Sequence, residues 1–194
     1  VPYSFGAPAI QGRPFYTEDF TALNVEVRRG GLGEVLDAIA AHLDDPQPPT
    51  YYVASLSVAG ALPGFSQEND LRLADRGVPA TPGIWIGNRV VASCHYDVPD
   101  NLAVCAVGQR AFTVFPPEQI DNLYPGPLDP TPGGQVVSLV DFDRPDPARH
   151  PRFRQALAHA QTALLSPGDA IFIPGMWWHH VRSLAPFNVL VNYW

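Results

Sequence analysis

From residue 84 onward the sequence is a succession of short β-rich runs cut by Gly, Pro, Asn and Asp, and this texture constrains the chain more than anything else in it. "GIWIGNRVVASCHYD" predicts two short strands around Gly87-Asn88. "NLAVCAVGQRAFTVF" is apolar on both sides of Gly108 and predicts a hairpin with Gly108-Gln109 at its turn. "QVVSLVDF" reads as a further strand, "ALLSPGDAIFIP" as strand, turn and strand, and "FNVLVNYW" as a late strand. Roughly eight strands and few helices after residue 50 predict a mainly β fold, a jelly roll of two sheets. Helices alternate too rarely with strands for a doubly wound parallel sheet. The 22 prolines and 16 glycines, spread along the chain, fit many short elements joined by turns.

Upstream, residues 1 to 30 read as an irregular lead-in with one strand at "ALNVEVRR". "GLGEVLDAIAAHLDD" places Leu32, Val35, Leu36, Ile39 and Leu43 on one helical face, and "DDPQPP" ends the helix. "TYYVASLSV" is β-branched and aromatic and predicts a strand, whereas residues 59 to 83 read as a long loop. "PPEQIDNL" suits a short helix, and "HPRFRQALAHAQ" aligns Phe153, Ala156, Leu157 and Ala160 on another helical face. A chain of 194 residues has single-domain length. The expected organisation is residues 1–50 as a lead-in with a helix packed on the barrel, and 51–194 as the barrel.

Charge and cysteine usage exclude several classes. The net charge is −7 and every basic side chain is arginine; the densest basic run, "RHPRFR", sits beside "DFDRPDP" and is partly neutralised. Nucleic-acid backbones require clustered positive charge, so no nucleic-acid partner is expected. Two cysteines, Cys94 and Cys105, are too few for a disulfide scaffold, and no Cys-x-x-Cys pair offers a zinc ribbon. With no apolar run of membrane-spanning length and no signal-peptide pattern, a cytoplasmic setting and no membrane partner are expected.

The chemistry concentrates at "VVASCHYDVPDN". On a strand, side chains alternate with period two, so His95 and Asp97 point to one side and Tyr96 to the other. An imidazole and a carboxylate facing the interior can share a metal, and two histidines with one carboxylate leave open positions for other ligands. An isolated His-x-Asp is more often a pair of ordinary strand-end residues, so a third ligand is needed. "SPGDAIFIPGMWWHHVRSL" supplies it: of the adjacent His179 and His180, alternation lets one line the interior. His42 and His159 lie on expected helices and His150 in a turn, which makes them poorer candidates.

"CHYDVPDNLAVCAVGQRAFTVFPPEQIDNLYPGPL", "VDFDRPD" and "SPGDAIFIPGMWWHHVRSLAPFNVLVNYW" together resemble the cupin-like branch of the JmjC-type Fe(II)- and 2-oxoglutarate-dependent oxygenases. Within it the pattern is similar to the asparaginyl hydroxylase that inhibits hypoxia-inducible factor. The resemblance implies a double-stranded β-helix (cupin jelly roll), with His95, Asp97 and His179 as ligands of Fe(2+) and His180 turned away. It implies a 2-oxoglutarate co-substrate whose far carboxylate pairs with a cation. The familiar hydroxylase uses lysine there, and the matching residue is Arg110, whose planar fork can grip a carboxylate through two hydrogen bonds. Asn101 and Asn192 match asparagines near the co-substrate, and Tyr52 matches a tyrosine touching the far carboxylate, with Tyr51 as the alternative. Relatives often continue into helices that form a dimer, so the resemblance also implies a homodimer through residues beyond Trp194.

One position departs from the pattern. Where the relative has a threonine hydroxyl that helps hold 2-oxoglutarate, three residues before the first ligand, this chain has Ala92. The expected activity is a hydroxylase that takes O2 and 2-oxoglutarate and acts on a protein side chain or a small molecule. Ala92 supports an alternative: a metal-dependent cupin dioxygenase that uses no 2-oxoglutarate. A jelly-roll binding module without turnover is the non-enzymatic alternative. Trp85, Trp177 and Trp178 are candidates for the wall of a substrate pocket, with core packing as the commoner role of such residues.

Overall fold

The computed structural model describes residues 1–194, the side chain of Ala74 excepted. Eleven strands are present: β1 Pro2–Gly6, β2 Glu26–Arg29, β3 Thr50–Ser57, β4 Pro82–Gly87, β5 Val91–Tyr96, β6 Asn101–Val107, β7 Arg110–Phe115, β8 Gln161–Leu165, β9 Ala170–Ile173, β10 Trp178–Ser183 and β11 Asn188–Tyr193. They form a seven-stranded sheet in the order β2-β1-β3-β4-β11-β6-β9 and a four-stranded sheet in the order β5-β10-β7-β8. Every pairing is antiparallel. The fold is mainly β and jelly-roll-like, with a few short helices outside the sheets. No helix among the described residues is long and apolar enough to cross a membrane.

The central strands β10 and β11 are covered on both faces, which is why they carry apolar residues without a polar alternation, whereas the edge strands β2, β8 and β9 are largely exposed. Along β11, Val189, Val191 and Tyr193 face outward into a cluster with Val35 and Ile39 of helix α1 (Leu32–Ala40), while Leu190 and Asn192 face the opposite sheet. Between the sheets Ala103, Cys105, Phe112, Val114, Val181 and Leu190 form the inner core. Outside the small sheet, Cys94, Phe115 and Trp178 pack against Leu123 of α4 (Ile120–Leu123) and Phe153 and Ala156 of α5 (Phe153–Leu157). Leu43, past the end of α1, and Leu157 are exposed, so the two helical faces are shorter than their sequence periodicity.

Local expectation and tertiary structure differ at further places: residues 1–30, expected as an irregular lead-in with one strand, supply two strands, β1 and β2, of the large sheet. The runs flanking Gly108 are strands, yet not a hairpin: β6 pairs with β11 and β9, whereas β7 pairs with β10 and β8. The turn carries the chain from one sheet to the other, and the next strand–turn–strand unit, β8 to β9, crosses back in the same way. The segment 135–142 makes only isolated bridges, Val137 to His95 and Ser138 to Pro125. Its apolar residues are explained by burial of Val136, Val137 and Val140, and its backbone is tied instead to loop ends, with Ser138 N donating to Cys94 O. Residues 59–83 contain short helical turns, Phe65–Asn69 and Ala74–Arg76 among them.

The sheet-crossing turn demands glycine. Gly108 has φ +80°, and an added Cβ would lie 2.4 Å from Asn188 Oδ1 and 2.5 Å from Phe187 O. Asn188 is fully buried and holds the turn, accepting from Gln109 N and donating to Asn88 O and Ala185 O. Gly108→Ala is expected to destabilise the fold by about 3 kcal/mol, from left-handed strain and the displaced amide together. A urea denaturation midpoint unchanged from the parent would contradict this.

Candidate metal centre

Two adjacent strands of the small sheet bring the metal-ligating side chains together. His95 lies near the end of β5 and Asp97 just after it; His179 lies on β10 directly opposite His95. One ligand atom from each of the three falls within 4.8 Å of the others. The Nε2 of His179 is 3.5 Å from Asp97 Oδ2, and the two imidazoles lie 4.3 Å apart between centroids. Asp97 and His179 are buried, and His95 is nearly so.

Backbone carbonyls set the imidazoles. His95 Nδ1 is 2.8 Å from Ser93 O and His179 Nδ1 is 3.1 Å from Trp177 O. A carbonyl only accepts, so each Nδ1 carries its hydrogen and donates it, and each Nε2 lone pair is left for a metal. Burial and the adjacent His179 push His95 down to about 4 despite Asp97, so it is neutral and ready to ligate at neutral pH. Burial alone would raise the Asp97 carboxyl; its contacts with the His179 and His95 rings outweigh that and hold the group below its usual range. Two imidazoles and one carboxylate, held on one face with room beside them, fit a divalent iron.

A register shift in the β5–β10 ladder selects what else faces the centre. His95 opposes His179 and Ala92 opposes Val181, so the two residues between them, Ser93 and Cys94, face the single His180. The bulge resets the alternation and puts Ala92 on the same side as His95, where both line the cavity. Ser93 Oγ is turned to Arg13 Nε at 3.4 Å, and Cys94 is buried in the outer cluster. His180 points away from the centre and stacks on Phe142, with centroids 4.5 Å apart and planes 12° off parallel.

His180 carries a pH signature of its own. Burial, with Arg182 and Arg13 nearby, lowers it to about 3 from an ordinary 6.5. The unfolded chain then binds this proton more tightly than the folded one, so the stability present above pH 6.5 is lost as pH falls towards about 3. His180→Gln is expected to flatten that acid limb of the metal-free protein. Urea midpoints at about pH 7 and about pH 4.5 in the two proteins check it.

Beside the cluster lies a chamber of about 40 Å³ that shares Tyr52, Trp85, Ala92, His95, Asp97 and Trp194 with a wider cavity of about 230 Å³. Arg110, the first residue of β7, lines the chamber and is 3% exposed, so it is no solvent-facing arginine. Its Nε and Nη2 are buried without a partner. Burial works against its charge, offset in part by the nearby Tyr52 phenol, yet a guanidinium remains protonated. Asn192 Nδ2 donates to Asn101 Oδ1 at 2.7 Å, which leaves Asn192 Oδ1 buried and unpaired. Tyr52, not Tyr51, lines the chamber; Tyr51 packs on Tyr3 and Phe5. Orphaned buried polar groups of this kind cost folding free energy; a bound anion would satisfy the Arg110 nitrogens, and a donor such as water the Asn192 oxygen.

Of the tryptophans singled out in the sequence, Trp85 lines both cavities, Trp178 is sealed in the outer cluster, and Trp177 borders a groove between β8 and β9. Trp194, which sequence reasoning passed over, also lines both cavities. Its position two residues after Asn192 on an alternating strand was the available signal.

Comparison with known proteins agrees with this geometry. Residues 1–194 match the model of the cupin-like domain family along their whole length. The chain belongs to that family. Human HSPB1-associated protein 1 is 37% identical over 131 residues, covering 64% of this chain and 26% of that protein. Lysine-specific demethylase JMJ31 of Arabidopsis thaliana is 34% identical over 193 residues, 91% of this chain and 34% of its own length. The X-ray structure of E. coli ycfD superposes with a TM-score of 0.51 at 15% identity, covering 100% of this chain and 40% of that one, a likeness of fold alone. The cupin-like chain thus spans between 26% and 34% of the curated relatives named here. The resemblance to JmjC-type oxygenases stands at family level.

Proposed function

We propose that this cupin-like protein is an Fe(II)- and 2-oxoglutarate-dependent oxygenase, with His95, Asp97 and His179 as iron ligands. The observation that carries this is the three-residue cluster with both Nε2 atoms left free by carbonyl-bonded Nδ1 atoms. The overall reaction is R–H + O2 + 2-oxoglutarate giving R–OH + succinate + CO2. Bound iron supplies the redox chemistry of O2 activation.

The chain's own part is to bind and to orient. Arg110, with its two unpartnered nitrogens, receives the far carboxylate of 2-oxoglutarate, and Tyr52 donates beside it. The Asn101–Asn192 pair, with one amide oxygen free, sets the polar floor of the chamber. Apolar Phe112, Val181 and Leu190 keep the chamber dry, which strengthens every charge interaction inside it. The wider cavity, walled by Tyr52, Trp85, Pro132, Val137 and Trp194, receives the prime substrate. The motif-level likeness to the asparaginyl hydroxylase, within a double-stranded β-helix, supports a protein side chain as that substrate. Two buried free cysteines agree with a cytoplasmic setting.

Fe(II) added anaerobically to metal-free protein, followed by 2-oxoglutarate, tests the reading. A saturable weak visible charge-transfer band, absent from His179→Ala, is expected. Iron binding with no such band would favour a cupin dioxygenase that uses no 2-oxoglutarate. No iron binding at all would leave a binding module.

A further inference from the structure

The departure at Ala92 leaves a vacancy in the chemistry of the chamber. Where a hydroxyl donor is implied by the resemblance, the structure has a methyl group lining both cavities. A second fact stands beside it. Trp85 Nε1 is buried and has no hydrogen-bond partner. An indole N–H is a donor only, and a buried donor left without an acceptor is costly.

Trp85 reaches the chamber for a structural reason. On β4 the neighbours Ile84 and Ile86 turn outward to the α1 cluster, so Trp85 turns inward, opposite Leu190 of β11. Its ring lies 5.8 Å from that of Tyr52, tilted 32°. The Tyr52 hydroxyl and Arg110 line the same chamber. Trp85 and Ala92 pack against the same inner core and line the same two cavities, from facing sheets.

We infer that the indole N–H of Trp85 is a 2-oxoglutarate-binding donor that stands in for the hydroxyl missing at Ala92. The inference rests on the oxygenase reading. It also removes the objection that Ala92 raises against 2-oxoglutarate: the donor is supplied from the opposite sheet instead of from β5. Trp194 Nε1 is orphaned as well, but Trp194 follows the end of β11, whereas Trp85 is held mid-strand and against Tyr52.

The test uses Zn(II)-loaded protein, which is diamagnetic and does not turn over. Titration with 2-oxoglutarate is followed through the indole N–H resonances, and the Trp85 signal is identified by its loss in Trp85→Phe. A downfield proton shift of the Trp85 indole on binding is expected. Trp85→Phe, with zinc affinity and melting temperature near the parent's, is expected to bind 2-oxoglutarate about tenfold more weakly. Ala92→Thr added to Trp85→Phe is expected to recover several-fold of that loss. An unmoved Trp85 resonance in a protein that binds 2-oxoglutarate, an unchanged affinity in Trp85→Phe, or a double variant no tighter than the single one overturns the assignment. Wild-type zinc protein that does not bind 2-oxoglutarate sinks the oxygenase reading itself, a result distinct from those three.

Discussion

Asp97→Ala is expected to abolish Fe(II) binding while leaving the metal-free fold intact. Asp97 contributes the only carboxylate of the cluster and so the only formal negative charge facing the metal. Its loss leaves two imidazoles, a donor set with neither the carboxylate charge nor the third point of a facial triad. Removing an outer-shell partner of a metal ligand typically costs about 10–100-fold in affinity, and removing the ligand itself costs more. The fold has little at stake, because the metal-free contact of Asp97 with His179 is a single one at 3.5 Å. Anaerobic Fe(II) titration with parallel thermal melts checks both halves. A variant that still bound iron within about tenfold of the parent would move the ligand set away from Asp97. A variant that failed to fold would instead make Asp97 a structural residue, with Asp97→Asn then separating charge from shape.

Arg110→Met is expected to separate stability from ligand binding in the opposite sense to an ordinary core mutation. A guanidinium buried with two nitrogens unpartnered is unfavourable in the ligand-free protein. Methionine fills similar space without charge, so the ligand-free variant is expected to be as stable as the parent or more so, by up to about 2 kcal/mol. Binding of 2-oxoglutarate is expected to fall by about 100-fold or more, since two charge-assisted hydrogen bonds are lost in a dry site. The parent melts at a higher temperature as 2-oxoglutarate is added in the presence of Mn(II), because a ligand that binds only the folded state stabilises it by mass action. Arg110→Met is expected to show no such rise. A ligand-dependent rise equal to the parent's would remove Arg110 from the co-substrate site. Arg110→Lys, a point charge without the planar fork, is expected to fall between the two.

The tight placement of polar groups between two sheets also bears on why the chain tolerates so many buried polar side chains. Asn101, Arg110, His179 and Asn192 are all buried, yet most of their unsatisfied atoms line one chamber. A fold that only needed stability would fill these inward positions with aliphatic groups. Here alternation along β10 and β11 spends single inward positions, at His179 and Asn192, on function and keeps their neighbours Val181 and Leu190 apolar.

Period-two alternation and turn residues were legible in the sequence, and they sufficed for the strands, the mainly β character and the pairing of His95 with Asp97 on one side. Family motifs added His179 over His180 and pointed to Arg110, Asn101, Asn192 and Tyr52. What local pattern could not distinguish was a hairpin from a crossing between sheets: β6 and β7 show the same apolar run either way, and only the free edges of β11 and β10 decide. Nor could it foresee the bulge opposite His180, because a shift of register is set by how two strands meet. That shift turns Ala92 inward with His95. Tertiary structure likewise decided that Arg110 is buried without a partner and that Trp85, rather than Trp177 or Trp178, faces the chamber. The sequence by itself determined which side chains alternate and which chemistry is available. Which of them share one enclosed volume depends on contacts between residues far apart in the chain, and those exist only once the two sheets have closed on each other.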